Sequence, residues 1–381
     1  MMTFKVILLS LLFTGCLSNY DDNFDNENEI IREKRGIRKH SPHYSIPIPY
    51  SFEGIKNVEN IEKSFADLEK LTCLSFKKQN FSSRGIVFKK QDKNRVNHFG
   101  ASETEKTVVG INSTCLSATG CVKHMLGLAL GLDIETNRHD RDKYIQIFKS
   151  KIAKSDRHWY KKNRKFHSWV RNTGFDYGSI MAQPVTWKSK NGEPVFKSKL
   201  SKYYDFMVGQ RYDFAFNDIK QINDFYCGNV CKNKVRGCTN GGYPDPKKCR
   251  QKKCRCPDGF VGQQCTSIKP NKDFCGKRIR RATRQLQDVI IDGKKNCFYY
   301  IRSPRYTKIR IIVTEIKTKT VYPCYKDMGL EIKYRHNKGA TGLCLCGNYR
   351  RYALNPFNSR VLVHYKGQSA EDKLHLRYQM V

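Results

Sequence analysis

The feature that most limits how this chain can fold is its sixteen cysteines, which are spaced most regularly in the C-terminal half of the 381 residues. Closely spaced thiols of this number are typical of disulfide frameworks, which persist in oxidising compartments and are rare in the cytosol. A length of 381 residues also predicts two or three folded units. The sequence therefore predicts a secreted, extracellular protein built from disulfide-bonded domains.

The N-terminus agrees with this compartment. Lys5 precedes an apolar run from Val6 to Phe13, and small residues follow, so residues 1–18 are predicted to be a cleaved signal peptide. The run is too short to span a bilayer, and no later segment is long enough either. We therefore predict no transmembrane anchor. Loss of the signal removes Cys16 and leaves fifteen cysteines, an odd number, so at least one thiol is free or pairs with another chain.

Residues 19–35 form an acidic segment that ends in a basic tetrad, in which Arg32, Lys34 and Arg35 resemble a furin-type processing site. We interpret this segment as a propeptide, which makes the protein a zymogen whose mature chain begins at Gly36. The alternative is one more basic cluster in a basic protein.

Net charge identifies the kind of partner. The chain carries 71 Lys and Arg against 35 Asp and Glu, a formal charge of +36; without residues 1–35, which carry −2, it carries +38. Such charge attracts polyanions. In a secreted protein we expect a heparan-type glycan or another extracellular partner, such as a protein, and no nucleic acid. Basic runs lie in Lys149–Lys165, Lys247–Arg255 and Lys277–Arg284.

Hydrophobic spacing predicts a mixed α/β domain over residues 36–227. Apolar residues recur at helical spacing from Val58 to Leu68, and residues 86–88 and 107–111 have strand patterns. A second helix is predicted after Cys121, with Gly131 as its C-terminal stop.

Several motifs in this domain resemble the astacin metalloendopeptidases, which are zinc-dependent extracellular proteases of the metzincin fold. In chain order they are Ile48-Pro49-Tyr50, Leu71-Thr72-Cys73, the segment from Cys121 through His124 to Asp142, Ser179-Ile180-Met181, Gly209-Gln210-Arg211, and Ile222 to Cys227. The resemblance implies a disulfide between Cys73 and Cys227 and a Met-turn at Met181. It leaves Cys115 and Cys121 either paired with each other or free, because the usual partner of Cys115 is missing near Arg95. Glu135, Arg141 and Asp142 match positions that help to hold the domain together.

The catalytic motif of that family is degenerate in this chain. The metzincin pattern H-E-x-x-H-x-x-G-x-x-H supplies three zinc-binding imidazoles and a glutamate base, and its slots here contain His124, Met125, Leu128, Gly131 and Ile134. The tyrosine slot after the Met-turn contains Gln183. One imidazole binds zinc weakly, so we predict an inactive site in which zinc is absent or weakly bound and His124 is a hydrogen-bonded cleft residue. The alternative is an active zinc endopeptidase whose site is rebuilt from Asp133, Glu135 or His139.

Two smaller cysteine-rich modules follow the α/β domain. Residues 228–266 resemble an EGF-like module, which implies the pairs Cys231–Cys249, Cys238–Cys254 and Cys256–Cys265; a zinc ribbon is the rival interpretation. Residues 275–381 alternate like strands at 308–313 and 361–365 and resemble an all-β CUB sandwich. That resemblance implies Cys275–Cys297 and Cys324–Cys346 and leaves Cys344 over. This domain order is similar to that of nematode astacins.

Two acceptor sequons, at Asn80 and Asn112, predict a glycoprotein with exposed loops at these positions. Together these features predict a secreted, multidomain homologue of the astacin metallopeptidases that acts by extracellular binding.

Overall fold

The computed structural model describes residues 42–164, 170 and 173–381. The predicted signal peptide, the propeptide, the processing residues Arg32, Lys34 and Arg35, and the mature terminus at Gly36 lie outside the described residues. The described residues belong to one compact unit. None of the described helices is both long and apolar enough to cross a membrane.

The N-terminal half of the α/β domain is a five-stranded sheet with helices packed on it. Its strands are β1 (Ile48–Glu53), β2 (Phe76–Lys78), β3 (Ile86–Lys90), β4 (Arg95–Val96) and β5 (Thr107–Ile111), in the order β2-β1-β3-β5-β4. All neighbours are parallel except β4 and β5. The helices are α1 (Glu59–Leu71), the short α2 (Ser113–Leu116) and α3 (Thr119–Ala129). The helix predicted to follow Cys121, and so to begin at Val122, begins three residues earlier, at Thr119.

Helix α3 is buried because its sequence is apolar on nearly every side; only Thr119 and Cys121 remain partly accessible. It ends where Gly131 adopts φ +91°, a left-handed conformation that glycine reaches without a Cβ clash. The C-terminal half of the domain contains mostly 3₁₀ turns, a small antiparallel pair of β6 (Ile145–Ile147) and β7 (Phe196–Ser198), and helix α4 (Phe216–Tyr226). The 3₁₀ turns cover Glu135–Asn137, Arg141–Lys143, Lys149–Lys151, Lys154–Tyr160 and Lys202–Phe206.

The EGF-like module contains two small antiparallel pairs. They join β8 (Tyr243–Pro244) to β9 (Cys254–Arg255), and β10 (Phe260–Val261) to β11 (Ser267–Ile268).

The C-terminal module is a sandwich of two sheets, which confirms the predicted all-β class. One sheet contains β12 (Ile279–Arg281), β14 (Asn296–Arg302), β19 (Arg360–Lys366), β16 (Gly329–Lys333) and β17 (Leu343–Leu345), in this spatial order. The other contains β13 (Gln287–Asp292), β20 (Lys373–Met380), β15 (Ile309–Lys317) and β18 (Asn348–Leu354). Alternating burial along β13 and β15 places one face of that sheet in the core.

Seven disulfides crosslink the described residues, each within one module. They are Cys73–Cys227, Cys115–Cys121, Cys231–Cys249, Cys238–Cys254, Cys256–Cys265, Cys275–Cys297 and Cys324–Cys346. Cys344 is a free thiol on β17, buried in the sandwich.

The three modules pack directly on one another, which their separate sequence patterns do not indicate. One apolar cluster includes residues from the 145–208 region and from the sandwich. At this contact the Tyr203 ring lies 4.2 Å from that of Tyr352, whose hydroxyl is 2.6 Å from Ser201 Oγ. The EGF-like module contacts α4 where Asn223 Nδ2 donates to Tyr243 Oη at 3.0 Å. It contacts the sandwich through a second apolar cluster and the Lys326–Asp258 ion pair at 3.0 Å.

Candidate active site

Helix α3 and the turn after it carry the residues at the predicted metal slots. His124, Met125 and Leu128 lie on α3, and Ile134 follows the turn at Gly131. The exposed fractions of the Met125, Leu128 and Ile134 side chains are 3%, 7% and 3%, and all three belong to one apolar cluster. The folded chain therefore keeps these slots in its core.

His124 is a buried, hydrogen-bonded imidazole. Its Nδ1 lies 2.9 Å from the carbonyl oxygen of Ile180, so Nδ1 carries the proton in that contact. Burial, followed by the positive charge of Arg211, holds the pKa of His124 well below its usual range. The ring is neutral at physiological pH, and its Nε2 has no hydrogen-bond partner among the described residues.

The residues at these slots do not fit a catalytic zinc ion. Zinc takes nitrogen, sulfur or carboxylate oxygen ligands, usually three from the protein in a catalytic site. His124 supplies one nitrogen, while Leu128 and Ile134 supply hydrocarbon and Met125 a thioether where a base is needed. Within 42–164, 170 and 173–381, no group of three or more His, Cys, Asp or Glu side chains could hold a metal ion.

Two of the three residues named as replacement ligands are hydrogen-bonded elsewhere. Asp133 Oδ1 accepts a hydrogen bond from Asn163 Nδ2 at 2.9 Å. Glu135 Oε2 accepts from the backbone N–H of Asp176 at 3.1 Å, and His139 has a buried Nδ1 without a partner among the described residues. In the part of the chain that the structure describes, none of them joins His124 in a ligand set.

The Met-turn packs tightly beneath α3. A Cβ atom at Gly127 would lie 2.8 Å from Met181 Sδ, so a larger residue here would require the Met181 side chain to shift. The role of Gly127 was not predicted, although a small residue one turn from the first slot was an available signal.

The tyrosine slot is occupied by an amide that binds an arginine. Arg211 Nη2 donates to Gln183 Oε1 at 3.0 Å, and Nη1 donates to the carbonyl oxygens of Ala182 and Gln210 at 3.0 and 2.8 Å. Burial lowers the pKa of Arg211 to about 10, although the guanidinium stays charged at neutral pH. Arg211 belongs to the Gly209-Gln210-Arg211 motif, but its position beside the cleft was not predicted.

A buried cluster of three carboxyl groups, Glu135, Asp176 and Asp218, lies behind the Met-turn; we call it the acid cluster. Asp218 accepts hydrogen bonds from Ser179 Oγ and from the N–H groups of Ile180 and Ala215 at 2.6 to 3.1 Å. Burial raises the pKa of Glu135 to about 8 and, with the charge of Asp176, that of Asp218 to about 7. Arg138 lies 3.6 Å from Glu135 and lowers the pKa of this carboxyl in opposition to burial.

The acid cluster also receives the sandwich module. Both carboxylate oxygens of Asp176 lie 3.1 Å from the backbone nitrogen of Thr341, and Arg335 Nη1 donates to the carbonyl oxygen of Phe175 at 2.7 Å. A C-terminal loop is therefore hydrogen-bonded to the back of the cleft. This contact joins residues 165 positions apart and was not predicted.

The remaining predicted scaffold and modification residues have ordinary structural settings. Arg141 Nε bonds Asp142 Oδ1 at 3.1 Å. Asn80 is exposed, whereas Asn112 is half-buried and its Oδ1 caps the short helix α2 by accepting from Cys115 N at 2.8 Å. A glycan at Asn112 would have to accommodate this cap.

A family comparison agrees with this geometry. The model of the peptidase family Astacin matches residues 37–227. The chain belongs to the astacin family. Its described astacin domain therefore includes the degenerate slots, the Met-turn and the acid cluster.

Individual relatives were also found. Zinc metalloproteinase nas-34 of Caenorhabditis elegans is 28% identical, over 98% of this chain and 62% of its own length. Zinc metalloproteinase dpy-31 of Haemonchus contortus is 34% identical over 61% of this chain and 43% of its own. The structure of high choriolytic enzyme 1, a hatching enzyme zinc-protease of medaka, Oryzias latipes, is similar with a TM-score of 0.44 and 22% identity, covering 49% of this chain and 94% of that one. This astacin chain thus spans about three fifths of the length of nas-34.

Proposed function

We propose that this chain is a catalytically inactive member of the astacin family that acts outside the cell by binding. The observation that carries the proposal is the burial of Met125, Leu128 and Ile134 in one apolar cluster at the metal slots. A zinc peptidase needs ligands for the ion and a base for its bound water. Side chains of hydrocarbon and thioether provide neither.

Apolar residues at these slots also remove the structural need for the metal. Burying a side chain such as Leu or Ile contributes about 1.5 to 3 kcal/mol to folding. Leu128 and Ile134 together therefore contribute several kcal/mol without any ion. We expect the astacin domain to fold and remain stable in the presence of a chelator.

Secretion is part of the proposal. Seven disulfides stabilise the described chain, and disulfides of this density belong to oxidising compartments. The formal charge of +36 favours an anionic extracellular partner, and a polyanionic glycan is the one we propose.

Metal analysis and a cleavage assay test the inactive site. Secreted, purified protein processed after Arg35 should contain far less than one zinc per chain, melt at the same temperature with and without chelator, and leave casein uncut. About one tightly held zinc per chain, together with chelator-sensitive cleavage, would overturn the proposal. The matched control is the triple variant Met125→Glu, Leu128→His, Ile134→His. It should bind zinc stoichiometrically, because it restores three nitrogen ligands and the base.

A further inference from the structure

A basic groove lies where the EGF-like module begins, and none of the residues at the zinc slots line it. Its volume is about 1180 Å³. Four cationic side chains and two glutamines line it: Lys232, Lys234, Arg236, Lys252, Gln263 and Gln264. We call it the EGF groove. We propose that the EGF groove binds a sulfated glycan chain. This inference rests on the proposed function, since it gives the polyanionic partner a site.

No described residue neutralises the charge of the EGF groove. All four cationic residues are exposed, and no described carboxylate forms an ion pair with any of them. No Asp or Glu is among the lining residues. The nearby Asp245 is buried and lies 3.2 Å from Arg255 Nη2, so its charge is already paired. Four unpaired cations around one concavity attract a multivalent anion and release its condensed counterions.

Carboxamides give the EGF groove groups suited to sugar hydroxyls. Asn229, Asn233, Gln263 and Gln264 line it alongside the cations. Gln263 Nε2 donates to the carbonyl oxygen of Lys252 at 3.2 Å, and Gln264 Nε2 donates to that of Arg236 at 3.0 Å. These bonds hold the backbone of both cation-bearing segments. An amide has both donors and acceptors, as a hydroxyl does, so the lining matches a chain that carries sulfates and hydroxyls together.

The cations are held by a rigid framework. The disulfides Cys231–Cys249 and Cys238–Cys254 join the two segments that carry them. Preorganised side chains lose less entropy when a ligand orders them. The site therefore differs from an ordinary solvated basic surface.

Lys252 allows charge and folding to be separated in a test. Its φ is +46°, in the left-handed region that costs a residue with a Cβ about 1 to 2 kcal/mol. Glycine would occupy this position without that cost. Seven other described residues with a Cβ also have a positive φ, so this conformation by itself identifies no site.

The shape of the EGF groove favours a glycan over a membrane. A lipid surface is engaged by a flat or convex face with apolar side chains that insert, and Val235 is the one large apolar residue among the lining residues. A concave groove with four cations fits a linear, densely anionic chain.

The test compares two variants with equal loss of charge. The groove variant carries Lys232→Gln, Lys234→Gln, Arg236→Gln and Lys252→Gln. The control carries Lys277→Gln, Arg278→Gln, Arg281→Gln and Arg284→Gln, which are exposed cations at the start of the sandwich. Binding of the full chain to a heparin octasaccharide is measured against salt concentration. The slope of log K against log salt is negative. Neutralising four contacts should reduce the magnitude of this slope by about 3 in the groove variant, and by less than about 1 in the control.

Each outcome has a distinct meaning. If the unchanged chain binds heparin and the magnitude of the slope falls equally in both variants, the EGF groove is not the binding site, whereas the proposal of a polyanionic partner stands. If the unchanged chain does not bind heparin at physiological salt, the partner proposal itself fails. Equal binding of hyaluronan, polyglutamate or phosphatidylserine vesicles would overturn the requirement for sulfate. The single variant Lys252→Gly guards against misfolding, because it should stabilise the fold by relieving strain and still weaken heparin binding.

Discussion

Two neighbouring regions of the astacin domain differ in the chemistry of their side chains. The zinc-slot region, comprising His124, Met125, Leu128, Ile134 and Gln183, has apolar side chains at most of its functional slots. The acid cluster behind it contains three buried carboxyl groups, each with hydrogen-bond donors or a cation nearby. The first region stabilises the fold by packing, and the second by satisfied polar contacts.

The difference teaches which changes such a domain tolerates. Replacing a buried polar ligand by hydrocarbon leaves no unsatisfied group, so the metal can be lost without a cost in buried polarity. A carboxyl group in the acid cluster accepts hydrogen bonds from backbone N–H groups that are themselves buried. Removing one carboxyl leaves those donors unpaired in the core, which lowers the free energy of unfolding by several kcal/mol (about 3 to 5). Catalytic chemistry can therefore disappear from this fold more easily than its polar scaffold.

The largest expected effect comes from the acid cluster. Asp176 accepts N–H bonds from Thr341 and Gly178, and Asp176→Asn would point an amide donor at one of these donors. We expect a loss of about 3 to 5 kcal/mol in the free energy of unfolding, measured with urea. The exposed Asp92→Asn is the matched control and should change stability by less than about 0.5 kcal/mol. A similar small change for Asp176→Asn would mean that the acid cluster does not hold the domain together.

The next effect concerns packing in the zinc-slot region. Leu128→Ala removes a side chain that is 7% exposed from the apolar cluster and should cost about 2 to 4 kcal/mol. Leu128→Met keeps the volume and should cost less than about 1.5 kcal/mol. Ile290→Ala, on a side chain that is 64% exposed, is the surface control. A loss of under about 1 kcal/mol for Leu128→Ala would show that this slot is not part of the core.

Sequence patterns predicted the classes of all three modules because each class has a local signal. Period and spacing identified the helix that carries His124. The EGF-like resemblance rested on closely spaced cysteines, and the CUB resemblance on four more widely spaced cysteines and alternating strand patterns. Contacts between modules have no such signal. Thr341 reaches Asp176, and Tyr352 reaches Ser201, only because distant segments fold together. The pairing of Gln183 with Arg211 was equally hidden, since it joins two loops through space.

The two regions also respond to pH in opposite directions. Burial and the charge of Asp176 raise the pKa of Asp218 to about 7, so the native state keeps a proton that the unfolded chain loses near pH 3.9. This contribution to stability is complete at low pH and is lost as pH rises to about 7. Burial lowers the pKa of His124, so the unfolded chain binds a proton below about pH 6.5 that the native state does not. That contribution is lost as pH falls.

The smallest expected effect is therefore a pair of opposite slopes. Between about pH 4.5 and 6.5, Asp218→Asn removes the contribution of Asp218 that makes the fold more stable at low pH. The stability of this variant should therefore rise more steeply with pH than that of the unchanged chain. His124→Gln removes the opposing term and should shift the slope the other way. Each shift should be about 1 kcal/mol per pH unit, close to the limit of about 1.4 for one proton. Urea unfolding at three pH values measures both, and the unchanged chain subtracts the titration of all other groups. Shifts of the same sign would contradict the assignment of a neutral buried imidazole at one region and a protonated carboxyl at the other.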